Sequence, residues 1–261
     1  MPHRRLPNTI SSVIRTLQTA HDAWLQYPAA RLIADTQWAQ LDTAATPASL
    51  LSQLLKEAGD IPLALAAQAP LTDVFNQGLA RLTLYVSHFH QVYDLGVVRG
   101  TFTAGGRAYY ERDVGATALP DLSTAAAVLE AAAKIGPGET KRAAAEGAHS
   151  IAMALPSAVE VAAIYATVNA QYIASQQAQA FTDQQQNELA TLYPAAQRLA
   201  VTLCNTVEYH LENDPAYATL DDAGRRAIAT RWGVVYIFDD GTVVPTPTPT
   251  PTPPPAPTPQ P

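Results

Sequence analysis

The chain reads as all-α: an antiparallel bundle of about seven helices, closed by a small C-terminal β-hairpin and a disordered Pro/Thr tail. Three observations predict this. Apolar residues recur at helical spacing through most of the chain. One stretch alone, Val234 to Val244, changes to a strand-like pattern. From Pro245 to Pro261 proline alternates with threonine without a single charge, a composition that cannot bury a core. The expected boundaries are residues 1–232 for the helical domain, 233–244 for the hairpin, packed on the bundle or on a partner, and 245–261 for the tail.

Taken in order, Asn8 or Thr9 can cap a first helix with Ile10, Val13, Ile14, Leu17, His21 and Trp24 on one face. Pro28 breaks that pattern, and a second helix carries Leu32, Ile33, Trp38 and Leu41. Thr46-Pro47 predicts the entry to a third, with Leu50, Leu51, Leu54 and Leu55, which Gly59 and Pro62 close. Pro70 then opens the helix around which the chain is organised. Its stripe is Phe75, Leu79, Leu82, Val86, Phe89, Tyr93 and Val97, and Leu71, Tyr85, Val92 and Leu95 widen the apolar face.

A polar strip survives on this helix: Asn76, Thr83, Ser87, His90 and Asp94. His90 and Asp94 are one turn apart and can share a face, whereas His88 cannot join them. The pair has the makings of a metal half-site, or of a base with its orienting carboxylate. The plainer reading is a polar edge that faces solvent or caps a loop. After Gly100 comes a glycine corner, then Tyr109-Tyr110-Glu111-Arg112-Asp113. Those glycines spell neither a phosphate loop nor a dinucleotide fingerprint, so no cofactor is expected. Loops carry ligands more often than helices do, which makes His90, Asp94, Tyr110 and Arg112 the candidate ligand-binding set.

Two similar entrances follow, Ala118-Leu119-Pro120 and Ala154-Leu155-Pro156, the second leading into a Ser157/Glu160 capping box. Between them Gly136-Pro137-Gly138 predicts a break, with a short, polar, exposed helix from Glu139 to Gly147. Glu146 and His149 have the spacing of a di-metal ligand pair, but no second pair exists, so no metal site is assigned. Val161, Ile164, Tyr165, Val168 and Tyr172 continue the helix from Ser157. A Thr182/Gln185 box predicts a fresh start, and Pro194 a kink or split. A last short helix from about Thr219 to Arg231 precedes the hairpin.

In that hairpin Val234 to Phe238 faces the shorter Thr242 to Val244. The longer strand has backbone and apolar surface left over. Val235, Tyr236, Ile237 and Phe238 are therefore the expected interaction residues, toward the body or toward another chain.

Composition excludes several classes. A net charge of −7 and a pI near 5.3 argue against nucleic acid as a general partner. Cys204 is the single cysteine and fits a core position, so there is no disulfide framework or thiolate cluster. The N-terminus carries Arg4, Arg5 and Arg15 ahead of the first acid, Asp22, but lacks the apolar core of a signal peptide. No run approaches the ~20 apolar residues of a membrane span. A cytoplasmic location is the default expectation, with export by a signal-less route as the alternative. No nucleophile–base–orienter set can be assembled, so no catalytic residue is assigned. The expected function is a non-enzymatic structural or interaction protein, a subunit of a larger assembly, whose partner is itself or another protein. The rival is a metal- or small-molecule-binding bundle enzyme using His90, Asp94 and the Tyr109–Asp113 corner.

Overall fold

A computed structural model describes residues 2–116, 118–238 and 241–244. The Pro/Thr tail and the hairpin's turn residues Asp239 and Asp240 lie outside the described residues. Among these, six α-helices dominate: α1 (Ile10–Gln26), α2 (Asp35–Leu41), α3 (Leu50–Val98), α4 (Ala125–Glu146), α5 (Ala158–Asn213) and α6 (Asp222–Arg231). Short 3-10 turns occupy Ala104–Tyr110, Gly147–His149 and Pro215–Tyr217, and two strands, β1 (His3–Arg5) and β2 (Val235–Ile237), form an antiparallel sheet. The protein is thus all-α with one small sheet, as expected.

Several expected breaks are absent. α3 runs unbroken through Pro62 and Pro70, α4 through Gly136-Pro137-Gly138, and α5 through Thr182 and Pro194. All four prolines sit on exposed helix faces. There the carbonyl left without a partner one turn upstream can be hydrated, while the stripe on the opposite face stays buried. Thr182 caps nothing: its hydroxyl donates to Ala178 O at 3.0 Å within the helix. Thr46-Pro47 lies in the loop ahead of α3, and Ser49 receives the Ser52 amide at 3.2 Å instead. The Thr9 and Ser157 caps form as expected.

The chain divides into two compact units, Met1–Asp60 with Gln185–Pro261, and Ile61–Gln184. In the first, α1 buries Val13, Leu17, Ala20 and Trp24, and the second half of α5 buries Leu203, Cys204, Val207 and Leu211. Trp38 of α2 stacks on Trp24 at 5.0 Å and on His21 at 5.4 Å, and the Arg31 guanidinium lies over the Trp24 ring at 4.3 Å from its centre.

The sheet closes this unit. β2 takes β1 in the register His3↔Ile237, Arg4↔Tyr236, Arg5↔Val235. On its other side Phe238 donates to Thr242 O at 2.8 Å and Val244 to Tyr236 O at 3.0 Å. The hairpin therefore forms, but the edge of β2 that was expected to stay open is filled by the chain's own N-terminal arm. A lone two-stranded ribbon is marginal in water, and the third stretch supplies the missing pairing. Glu208 of α5 anchors both strands, accepting from Arg4 at 2.5 Å and from the Tyr236 hydroxyl at 2.7 Å.

In the second unit the expected stripe is the core. Phe75, Leu82, Val86, Phe89 and Tyr93 of α3 bury against Val128, Leu129, Ala132 and Ile135 of α4 and Val161 and Val168 of α5. Phe75 meets Tyr172, and three residues on Gly78 meets Val168, so α5 passes α3 in the opposite direction. The flanks are open: Leu71, Val92 and Leu95 are exposed, so α3 is buried on one side and not all round.

Candidate functional site

The C-terminal half of α3 carries His90 one turn ahead of Asp94. The 3-10 turn at Ala104–Tyr110 and the corner after it bring Arg107, Tyr110 and Arg112 beneath them. Gly138 lets α4 approach this turn; a Cβ there would stand 2.5 Å from Tyr109 O and 2.7 Å from Tyr110 Cδ1. All four residues of the candidate set, His90, Asp94, Tyr110 and Arg112, are thereby brought together.

Their pairing is not the one expected from spacing. Asp94 does not orient His90. Its Oδ1 accepts from Arg107 Nε at 2.8 Å and Arg112 Nη1 at 3.2 Å, and its Oδ2 accepts from Arg112 Nη2 at 2.9 Å. The guanidinium groups finish on backbone, Arg107 on Val114 O and Arg112 on Ala118 O, both at 2.8 Å. Burial alone would raise the Asp94 pKa, but the hydrogen bonds from Arg112 and Arg107 overcome it and hold it below its ordinary value.

His90 is 2% exposed, which corrects the solvent-facing reading. Its Nδ1 stands 3.5 Å from Arg112 Nη1, and its ring meets Phe89 and Tyr110 edge-on. Burial, reinforced by the Arg112 charge, pushes its pKa down to about 4. The ring is therefore neutral at pH 7.

Tyr110 joins this group to a second one on α4. Its hydroxyl donates to Glu139 Oε2 and accepts from Arg142 Nε at 3.2 Å. Burial first, then Glu139, raises the phenol pKa. Arg142 is fully buried and also reaches Glu139 Oε1 at 2.7 Å, Glu146 Oε2 at 2.5 Å and Ile151 O at 2.6 Å. The Met153 amide donates to Glu139 Oε1 at 3.2 Å. Two arginines on one aspartate adjoin one arginine on two glutamates, so the whole is electrically balanced. The exposed helix expected over Glu139 to Gly147 is the last part of α4, with this arginine facing inward. Glu139, Arg142 and Glu146 recur at helical spacing, a signal the sequence contained.

Chemically, the assembly is a clamp. Both Asp94 oxygens are held by cations, His90 is buried and weakly basic, and the Tyr110 proton is committed to Glu139. Beside it lies a cavity of about 460 Å³ bounded by Phe102, Thr103, Tyr109, Glu146 and His149, where Glu146 is already engaged by Arg142. Among the described residues no group of three or more His, Cys, Asp or Glu is placed to hold a metal ion, and no helix is long and apolar enough to cross a membrane. No family model, curated protein or solved structure matches the chain.

Proposed function

We propose that this protein is a non-enzymatic interaction protein that self-associates through the first half of α5. The observation that carries this reading is an exposed stripe on that helix: Val159, Ala163, Ala166, Ala170, Ile173, Gln177 and Phe181. These residues lie three and four apart, the seam spacing of paired helices. Val159 is 79% exposed, Ile173 49% and Phe181 53%. From Val161 to Thr182 the helix carries no charged residue and no histidine. Solvated helix faces are normally charged, so this one pays for exposure without a gain in solubility. The central alanines let a second backbone come close, and the same stripe on two copies is self-complementary about a two-fold axis. The bundle-enzyme alternative draws no such support, since the clamp uses up the groups it would need.

The test is sedimentation-velocity ultracentrifugation over a wide concentration range, with Ile173→Glu/Phe181→Glu as the variant and circular dichroism as the folding control. Concentration-dependent dimers lost in a folded variant support the reading. An Ala170→Cys substitution adds a second readout, because Cys204 is buried and a disulfide between copies reports the new thiol. A monomer at every concentration, with no cross-link, overturns the reading.

A further inference from the structure

The arginines at the head of the chain do not share one partner. Arg4 takes Glu208, while its strand neighbour Arg5 points to the opposite face of the sheet. On that face, within the first unit, is a cleft of about 510 Å³. Arg5, Arg15 and Arg231 line it, and none of its described lining residues is acidic. Among the described residues, the side chains of these three arginines make no ion pair and no hydrogen bond. In a chain of net charge −7, three guanidinium groups sharing one cleft without a carboxylate are unanswered charge.

The rest of the cleft is apolar or satisfied. Val234, Val235 and Val244 form an aliphatic floor, and Val234 is fully buried. The α1 wall presents Thr9, Ser12, Thr16 and Thr19 along one face, but most of these hydroxyls are spent locally. Thr9 and Ser12 cap the helix, and Thr16 donates to Gly233 O at 3.3 Å. That contact fixes the floor to the wall. Gly233 has φ +91°, and a Cβ there would stand 2.6 Å from Thr16 O, so only glycine permits the approach. Gln197 holds Pro7 at the rim by donating to its carbonyl at 3.3 Å.

We propose that this cleft binds a small amphipathic anion, its carboxylate held by Arg5, Arg15 and Arg231 and its aliphatic body on the Val234, Val235 and Val244 floor. Arginine is suited to such a head because its planar fork meets a carboxylate with two parallel hydrogen bonds. A cleft of this size, mostly apolar with a few polar groups along it, is that of a ligand pocket rather than of a bare ion site. The site is independent of the α5 stripe, which belongs to the other unit.

Isothermal titration of the full chain with decanoate, below its micellar range, tests the proposal, beside inorganic phosphate and decanol. One decanoate per chain is expected, with phosphate and decanol each binding at least about tenfold more weakly for want of the body or the head. Arg15→Gln and Arg231→Gln, both exposed and so compatible with folding, should each weaken decanoate by about tenfold. Arg99→Gln, an exposed arginine elsewhere, and Phe181→Glu, on the α5 stripe, should leave binding unchanged. Unaltered affinity in the Arg15→Gln/Arg231→Gln double variant overturns the site. So does loss of binding in Phe181→Glu, phosphate binding as tightly as decanoate, or absence of any decanoate binding at millimolar concentration.

Discussion

Arg112 grips Asp94 with both of its terminal nitrogens, at 3.2 and 2.9 Å, across a corner of the chain that separates them by more than four helical turns of sequence. The contact pins the loop after α3 back onto α3 itself. Asp94→Ala leaves Arg107 and Arg112 without their common partner in a largely buried setting. The expected loss is roughly 3–5 kcal/mol in urea melts, since a stranded charge costs more than the pair contributes. An effect under about 1 kcal/mol would mean that water already screens the pair.

Acid should weaken the fold through His90. Its pKa is about 4 in the folded chain against 6.5 when exposed. Above pH 6.5 both states are neutral and nothing is lost. As pH falls from 6.5 toward 4 the unfolded chain takes up a proton that the folded chain refuses, so stability drops, by about 3 kcal/mol in total. Asp94 and Glu139, with folded pKa values held below their ordinary ones, add losses in the same direction at lower pH. Denaturant midpoints between pH 4 and 7 measure this, and His90→Gln should flatten the slope in that window.

Gly138 inverts the usual helix rule. Glycine to alanine inside a helix ordinarily stabilises by roughly 1 kcal/mol. At Gly138 the new methyl would meet the Tyr109 carbonyl at 2.5 Å, a backbone atom that cannot swing aside. Gly138→Ala is expected to destabilise by about 1–3 kcal/mol. Gly59→Ala, whose Cβ would meet nothing within 4 Å, is the control and should be neutral or stabilising.

Phe89 is fully buried in the middle of the α3 stripe and packs edge-on against Tyr110 at 5.3 Å. Phe89→Ala should cost roughly 3–5 kcal/mol in thermal or denaturant unfolding. A loss below about 1 kcal/mol would show that the surrounding side chains collapse into the space.

What the sequence by itself determined is whatever local spacing encodes. The stripe from Phe75 to Val97 was legible because every member lies three or four residues from the next, and the Thr9 and Ser157 caps because their partners lie within one turn. The strand-like run at Val234 to Phe238 was legible for the same reason. Tertiary structure decided the rest. Pro62, Pro70, Pro137 and Pro194 signal breaks locally, yet burial of the opposite helix face outweighs one missing hydrogen bond at each. His90 looked like part of a polar edge because its partner Arg112 sits beyond the helix, on a corner whose return path no periodicity reveals. The spacing of Glu139, Arg142 and Glu146 was legible, but the burial of Arg142 was hidden for a related reason: it becomes a core residue only when the Tyr110 hydroxyl and the Ile151 carbonyl close over it. The same holds for the filled edge of β2 and for the arginine cleft, which join the first described residues of the chain to residues 230–244. Hydrogen bonds and charges over such separations depend on where the whole fold places them, and spacing along the chain carries no record of that.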